Sequence, residues 1–232
     1  MTDLPRQLSF DLPVRPALGR DDFFVAPSNA LAIDLIDRTL DLPGRKLAIS
    51  GLPGAGKTHL AHVWATEYAE YGARILPAAA LDEDIVPDLA QTAMAIEDVP
   101  AIAGDPVRER ALFHLHNMLA ERGLPLLLTG RAAPQTWGLH LPDLKSRIAA
   151  AAHAALEAPD DALLAAVMMK LFADRQLSPK PDVIPYAVRH MERSFAAATD
   201  LVDRLDRAAL EAGRDVTRAL TTEVLGSRAS PH

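Results

Sequence analysis

The chain has 232 residues, 49% of them hydrophobic, with no cysteine and a formal net charge of −7. This length and apolar content allow one large domain or a domain with a small appendage, and the lack of cysteine excludes disulfides, thiolate zinc sites and catalytic thiols. The acidic balance argues against a broad non-specific nucleic-acid surface. No apolar run reaches the length of a membrane span and Met1–Pro5 lacks a signal-peptide pattern, so the expectation is a cytoplasmic protein with no membrane partner.

Residues 1–20 read as an extended tail, because Pro5, Pro13 and Pro16 discourage a helix. The tail contains Gln7-Leu8-Ser9-Phe10-Asp11-Leu12. Its Leu8, Phe10 and Leu12 either pack on the protein's own body or fill a partner's cleft while the Gln7 amide enters a polar pocket. Residues 30–40 carry a helical pattern that Ser28 or Asn29 can cap. Pro43-Gly44 turns the chain into Lys46–Ser50, a short apolar run that reads as a buried strand.

Gly51-Leu52-Pro53-Gly54-Ala55-Gly56-Lys57-Thr58 follows and fits the phosphate-loop pattern at every fixed position. Glycines let backbone N–H groups curl around a phosphate chain; Lys57 reaches the β- and γ-phosphates, and the Thr58 hydroxyl ligates Mg²⁺. A helix over 59–71, closed by Gly72, completes the order strand, glycine loop, helix.

Further strands are expected at 74–76 and 92–96, with a short helix or loop at 81–89 between them. A helix runs over 108–122. A fourth strand covers 125–129 and is broken by Gly130. A short helix opens at 142–148, and a fifth strand is expected at 154–157. Beyond Pro159 the pattern gives only helices: 160–176, 181–193 with an irregularity near Pro185, 195–212 closed by Gly213, and 217–225. The fold class is therefore α/β: a parallel sheet with helices on both faces over 21–158, followed by a small all-helical domain over 159–232.

A phosphate loop needs an acidic station to hold Mg²⁺ and polarise water. Glu97 and Asp98 supply two carboxylates at the end of the third strand, with Glu97 where the metal is held. Thr129, at the tip of the fourth strand, either senses the γ-phosphate and positions water or is an ordinary strand-end hydroxyl. Arg147 and Arg193 are the cationic candidates, since a guanidinium stays charged beside a developing phosphoryl charge. His59, His62, His114 and His116 find no carboxylate at metal-ligand spacing.

Together these residues resemble a known family. Gly54-Ala55-Gly56-Lys57-Thr58-His59-Leu60 resembles the phosphate loop of the bacterial replication initiator DnaA. Phe24-Val25-Ala26-Pro27-Ser28-Asn29 resembles the segment covering its adenine, Leu144-Lys145-Ser146-Arg147 its arginine-finger helix, and Met191-Glu192-Arg193 its sensor-2 helix. The resemblance spans roughly 21–225. It implies an AAA+ P-loop NTPase base with a five-stranded parallel sheet and a helical lid. The sequence stops after the lid and opens with the Gln7 peptide, both of which are similar to the Hda branch of DnaA-related regulators.

That resemblance implies ATP or ADP with Mg²⁺ as cofactors. It puts Phe24, Val25, Pro27 and Asn29 at the adenine, and Gly54, Ala55, Gly56, Lys57, Thr58 and His59 at the phosphates. Arg193 would reach them from the lid. Thr58 and Glu97 hold the metal, Glu97, Asp98 and Thr129 serve hydrolysis, and Arg147 acts in trans on a neighbouring AAA+ subunit. The implied partners are the DnaA initiator and the sliding clamp of DNA polymerase III (its β subunit), bound through Gln7, Leu8, Phe10 and Leu12. DNA is reached through the clamp, and a homodimer is possible. Glu97 in place of aspartate, and Gly130-Arg131 after Thr129, imply weak turnover by the chain itself. The alternative is a self-contained ATPase acting as a helicase loader or protein remodeller.

Overall fold

The computed structural model describes residues 25–226. Gln7, Leu8, Phe10, Leu12 and Phe24 lie outside them. The elements in order are α1 (Ala30–Asp37), β1 (Lys46–Ser50), α2 (Lys57–Glu67), β2 (Arg74–Pro77), α3 (Val86–Leu89), β3 (Met94–Glu97), α4 (Pro106–Glu121), β4 (Leu126–Gly130), α5 (Pro142–Ala149), β5 (Ala152–Ala155), α6 (Asp161–Asp174), α7 (Val183–His190), α8 (Phe195–Ala212) and α9 (Arg218–Gly226). The five strands form one parallel sheet in the order β2-β3-β4-β1-β5, as the alternating pattern predicts.

Side chains alternate across the sheet and build a core on each face. Leu47, Ile49, Ala95 and Leu127 point to the side covered by α1 and α2, where Ile36, Leu60 and Trp64 are buried. Ala48, Met94, Ile96, Leu126 and Leu128 point to the other, against Leu112, Leu115, Leu119, Leu144 and Ile148 of α4 and α5. A third core, among Leu164, Met168, Phe172, Val183, Leu201, Leu205 and Leu220, holds α6 to α9 together.

Three boundaries differ from the sequence reading. Gly130 completes β4 instead of breaking it: it pairs with Ser50, and the Trp137 ring fills the place where a β-carbon would sit, 2.6 Å away. β5 runs two residues earlier than expected, because its register is fixed by Leu47 opposite Ala152, and the alanine run around it carries no β-branched residue to mark a strand. α7 stops at His190, so Arg193 lies in the turn before α8, where Ser194 caps the new helix by accepting the Ala197 N–H at 3.1 Å. Among the described residues no helix is long and apolar enough to cross a membrane.

Two buried groups stand out because the sequence does not announce them. Glu109 in α4 is 1% exposed, yet no cation pairs with it among the described residues. Its carboxylate accepts the backbone N–H groups of Gly104 (2.8 Å), His140 (3.0 and 2.9 Å) and Leu141 (2.6 Å). Burial pushes its pKa up, but the three backbone donors outweigh that and hold it below the ordinary carboxylate value. Glu109 thereby pins the segment that enters α5.

The second group is Lys46, 7% exposed, whose ammonium lies 3.3 Å from Nδ1 of the buried His116. Burial first, and the Arg147 charge second, lower the Lys46 pKa to about 8. Because the folded pKa lies below the ordinary lysine value of 10.5, the unfolded chain binds more protons between those pH values. Stability should therefore rise with pH across that window. Lys46→Met should flatten the rise, as read by chemical denaturation between pH 7 and pH 10; an equal slope in both proteins would refute the assignment.

Candidate nucleotide site

β1 ends at Ser50, and the chain turns at Gly51, whose N–H donates to the Gly130 carbonyl at 3.2 Å. The loop then passes through Gly54 (φ +76°) and Gly56 (φ +98°), left-handed conformations that favour glycine. Gly56 is the N-cap of α2, so the first N–H groups of the helix and the positive end of its dipole face the loop. No acidic residue occupies the first turn of α2. This is a ready anion cradle.

Lys57 is half-buried, and its ammonium donates to the carbonyls of Gly51 (2.7 Å) and Leu52 (3.0 Å). Burial lowers its pKa; the Asp98 and Glu97 carboxylates oppose that shift, and Arg131 adds to it. The acidic pair therefore lies within electrostatic reach of the loop lysine. Asp98 takes a left-handed conformation (φ +52°), and its N–H donates to the Thr129 hydroxyl at 3.1 Å. Thr129 itself is 1% exposed, so β4 fixes the backbone that carries the carboxylate. Thr58 is exposed and His59 half-buried on the first turn of α2.

The lid closes directly onto this loop. The Phe195 N–H donates to the Gly54 carbonyl at 3.0 Å. A β-carbon on Gly54 would stand 2.6 Å from that of Ser194, and one on Gly56 would stand 3.0 Å from the Phe195 ring. Arg193 does not turn to the loop; its guanidinium pairs with Asp161 at 2.7 Å, both side chains being more than half exposed. On the other flank, Val25 and Pro27 are exposed and Asn29 is buried, its Oδ1 accepting the Ala26 N–H at 2.9 Å. The Ser28 carbonyl accepts the Glu157 N–H at 3.3 Å just past β5, which holds this segment at the loop's end of the sheet.

Arg147 lies elsewhere. It is exposed on the last turn of α5, with its guanidinium carbon 5.3 Å from the centre of the Phe113 ring. α5 leads into Ala152, which pairs with Leu47 near the start of β1, whereas the phosphate loop follows the end of that strand. Arg147 therefore faces away from the loop of its own chain.

Lys57, Thr58, Glu97, Asp98, Thr129 and the glycines thus come together at one edge of the sheet. Ser194, Phe195 and Asp161 were not singled out by the sequence; the only signal for them was their closeness to Arg193 or to a helix start. An ammonium on a phosphate oxygen contributes about 1.5–3 kcal/mol, so Lys57→Ala should weaken adenine-nucleotide binding by about tenfold or more. Titration of a fluorescent ADP analogue in Mg²⁺ measures this, and unchanged affinity would exclude the loop as the phosphate site.

No protein-family model matches the chain. Solved structures do resemble it. Domain III of the Thermotoga maritima replication initiation protein DnaA superposes with a TM-score of 0.82 at 20% identity, over 95% of this chain and 100% of that one. The replication initiator DnaA bound to AMPPCP and single-stranded DNA gives 0.72 at 18% identity, over 85% of this chain and 67% of that one. The Thermotoga maritima RuvB Holliday junction branch migration motor gives 0.68 at 16% identity, over 88% and 70%. The chain thus shares the fold of DnaA domain III and of the RuvB motor.

Proposed function

We propose that this chain is a DnaA-related regulator of chromosomal replication initiation. In this reading it binds ATP or ADP with Mg²⁺ at the phosphate loop and docks on the polymerase III sliding clamp through Gln7, Leu8, Phe10 and Leu12. It then offers Arg147 to ATP-bound DnaA. Water attacks the γ-phosphorus of the initiator's nucleotide, the bond to the β–γ bridging oxygen breaks, and ADP and phosphate leave. A guanidinium beside the γ-phosphate neutralises the charge that develops there. The net effect is negative control of initiation.

The observation that supports this most is the orientation of Arg147: exposed, braced on Phe113, and away from its own loop. An arginine so placed suits a neighbouring molecule's phosphate better than its own. Adenine nucleotide is further supported by the AMPPCP bound to the similar initiator. The residues present suit a metal, since the Thr58 hydroxyl follows Lys57 in sequence and the Glu97 carboxylate acts on Lys57 electrostatically; Mg²⁺ bound there would screen the phosphate charges.

A second reading, a self-contained ATPase that loads or remodels another protein, is favoured by one feature. Glu97, Asp98, Thr129 and Lys57 are all gathered at the chain's own loop.

Phosphate release from ATP-bound DnaA, with and without this protein and with and without clamp loaded on DNA, separates the two. Clamp-dependent acceleration supports the regulator. No acceleration, together with turnover by this chain alone, supports the ATPase.

A further inference from the structure

Among the described lid cations, Arg193 is the one next in sequence to the Ser194–Phe195 contact with the phosphate loop. Phe195, two residues on, is tied by its backbone to Gly54, and two residues span at most about 7 Å. The Arg193 backbone is therefore within about a side chain's reach of the loop, yet its guanidinium is held by Asp161 in the first turn of α6. Two carboxylates start that helix, and they do different things. Asp160 is the N-cap, accepting the Leu163 N–H at 2.7 Å. The Asp161 contact is its ion pair with Arg193.

We infer that Asp161 is a competitor for Arg193, holding the lid arginine off the phosphate chain until a nucleotide draws it across. This rests on the reading of the loop as a nucleotide site. Three observations carry it. The pair links two lid elements, α6 and the turn before α8, so it is not a by-product of one helix's i,i+4 spacing. Both partners are more than half exposed, so the bond is weak enough to be exchanged for a phosphate oxygen. The turn that carries Arg193 is itself anchored on the loop by the Phe195–Gly54 bond and by the close fit of Ser194 on Gly54, so the guanidinium can swing while its backbone stays fixed.

The exchange replaces one carboxylate by the phosphate chain, with its higher charge, and its cost is the loss of the Asp161 pair. Asp161 thereby becomes a specificity-determining residue without touching the ligand. It weakens every nucleotide that recruits Arg193, and it weakens most those with the longest phosphate chain.

The test uses the full chain and fluorescent analogues of ADP and ATP in Mg²⁺. Asp161→Asn keeps the shape and removes the charge. It should tighten ATP by about two- to fivefold, the range an exposed ion pair can supply, and tighten ADP less. Arg193→Ala should weaken ATP. The double variant should match Arg193→Ala, because with no arginine to hold back the aspartate has nothing to do.

Unchanged affinity in Asp161→Asn would overturn the inference. So would equal tightening in the Arg193→Ala background, which would mean only that a negative charge repels phosphate. A wild-type chain that binds neither nucleotide would instead overturn the nucleotide-site reading itself.

Discussion

Under the proposed regulator reading, Arg147→Ala should abolish the acceleration of DnaA-bound ATP hydrolysis while leaving the fold, the chain's own nucleotide binding and clamp binding intact. The side chain is exposed, and its one described packing contact is with Phe113, so the stability loss should stay within about 1 kcal/mol. The effect on the stimulated rate is far larger, because an arginine supplied in trans is worth about 10³–10⁵ in other nucleotide hydrolases. Arg147→Lys should rescue poorly, since an ammonium lacks the planar fork that spans two phosphate oxygens. The readout is single-turnover phosphate release from ATP-bound DnaA with clamp on DNA. A variant with full stimulation would sink the finger assignment and leave the fold untouched.

The second large effect belongs to a residue far from any phosphate. Glu109→Ala should cost about 3 kcal/mol or more, because it orphans the N–H groups of Gly104, His140 and Leu141 in a buried site, at about 1–3 kcal/mol each before water partly refills the space. Glu109→Gln should be nearly as harmful, since an amide turns one of its two acceptors into a donor that faces N–H donors. Equilibrium urea unfolding of both variants decides the matter, and a glutamine variant as stable as the parent would refute the carboxylate account. The pH dependence follows from the same bonds. The folded pKa is depressed, so this stabilisation is complete above the unfolded value of about 4.3 and is lost as the pH falls through the folded value. Because His140 and Leu141 lead into α5, a weakened Glu109 should also blur the aim of Arg147 before the chain unfolds.

Most of the architecture was legible because its signals are local. Short apolar runs closed by Glu97-Asp98 or opened by glycine gave four strands nearly in register, and Gly213 marked the end of α8, where it is left-handed (φ +58°). The phosphate loop could be read because its chemistry depends on residues a few positions apart. What could not be read depends on distant pairs. Gly130 looked like a strand breaker because its reason, the Trp137 ring, is a side chain seven residues away that arrives only in the folded state. Met191-Glu192-Arg193 read as part of one helix, and nothing in it reveals that Arg193 sits in a turn and pairs with Asp161 across the lid. Glu109 drew no reading from the sequence, although it shares a face with Leu112 and His116, and that face is buried.

The strand order also governs how the chain is made. β1 lies between β4 and β5, and Lys46 meets its partner Leu126 only after roughly 80 further residues have been synthesised, which at about 5–20 residues per second takes roughly 4–16 s. Throughout that interval Leu47, Ala48 and Ile49 have no neighbouring strand on either side, and β2 and β3 can pair with each other but not with them. The ribosome-bound chain therefore carries an exposed sticky strand until β4 emerges. Nascent chains stalled before residue 126 should be strong chaperone clients, and those stalled well after residue 155 should not.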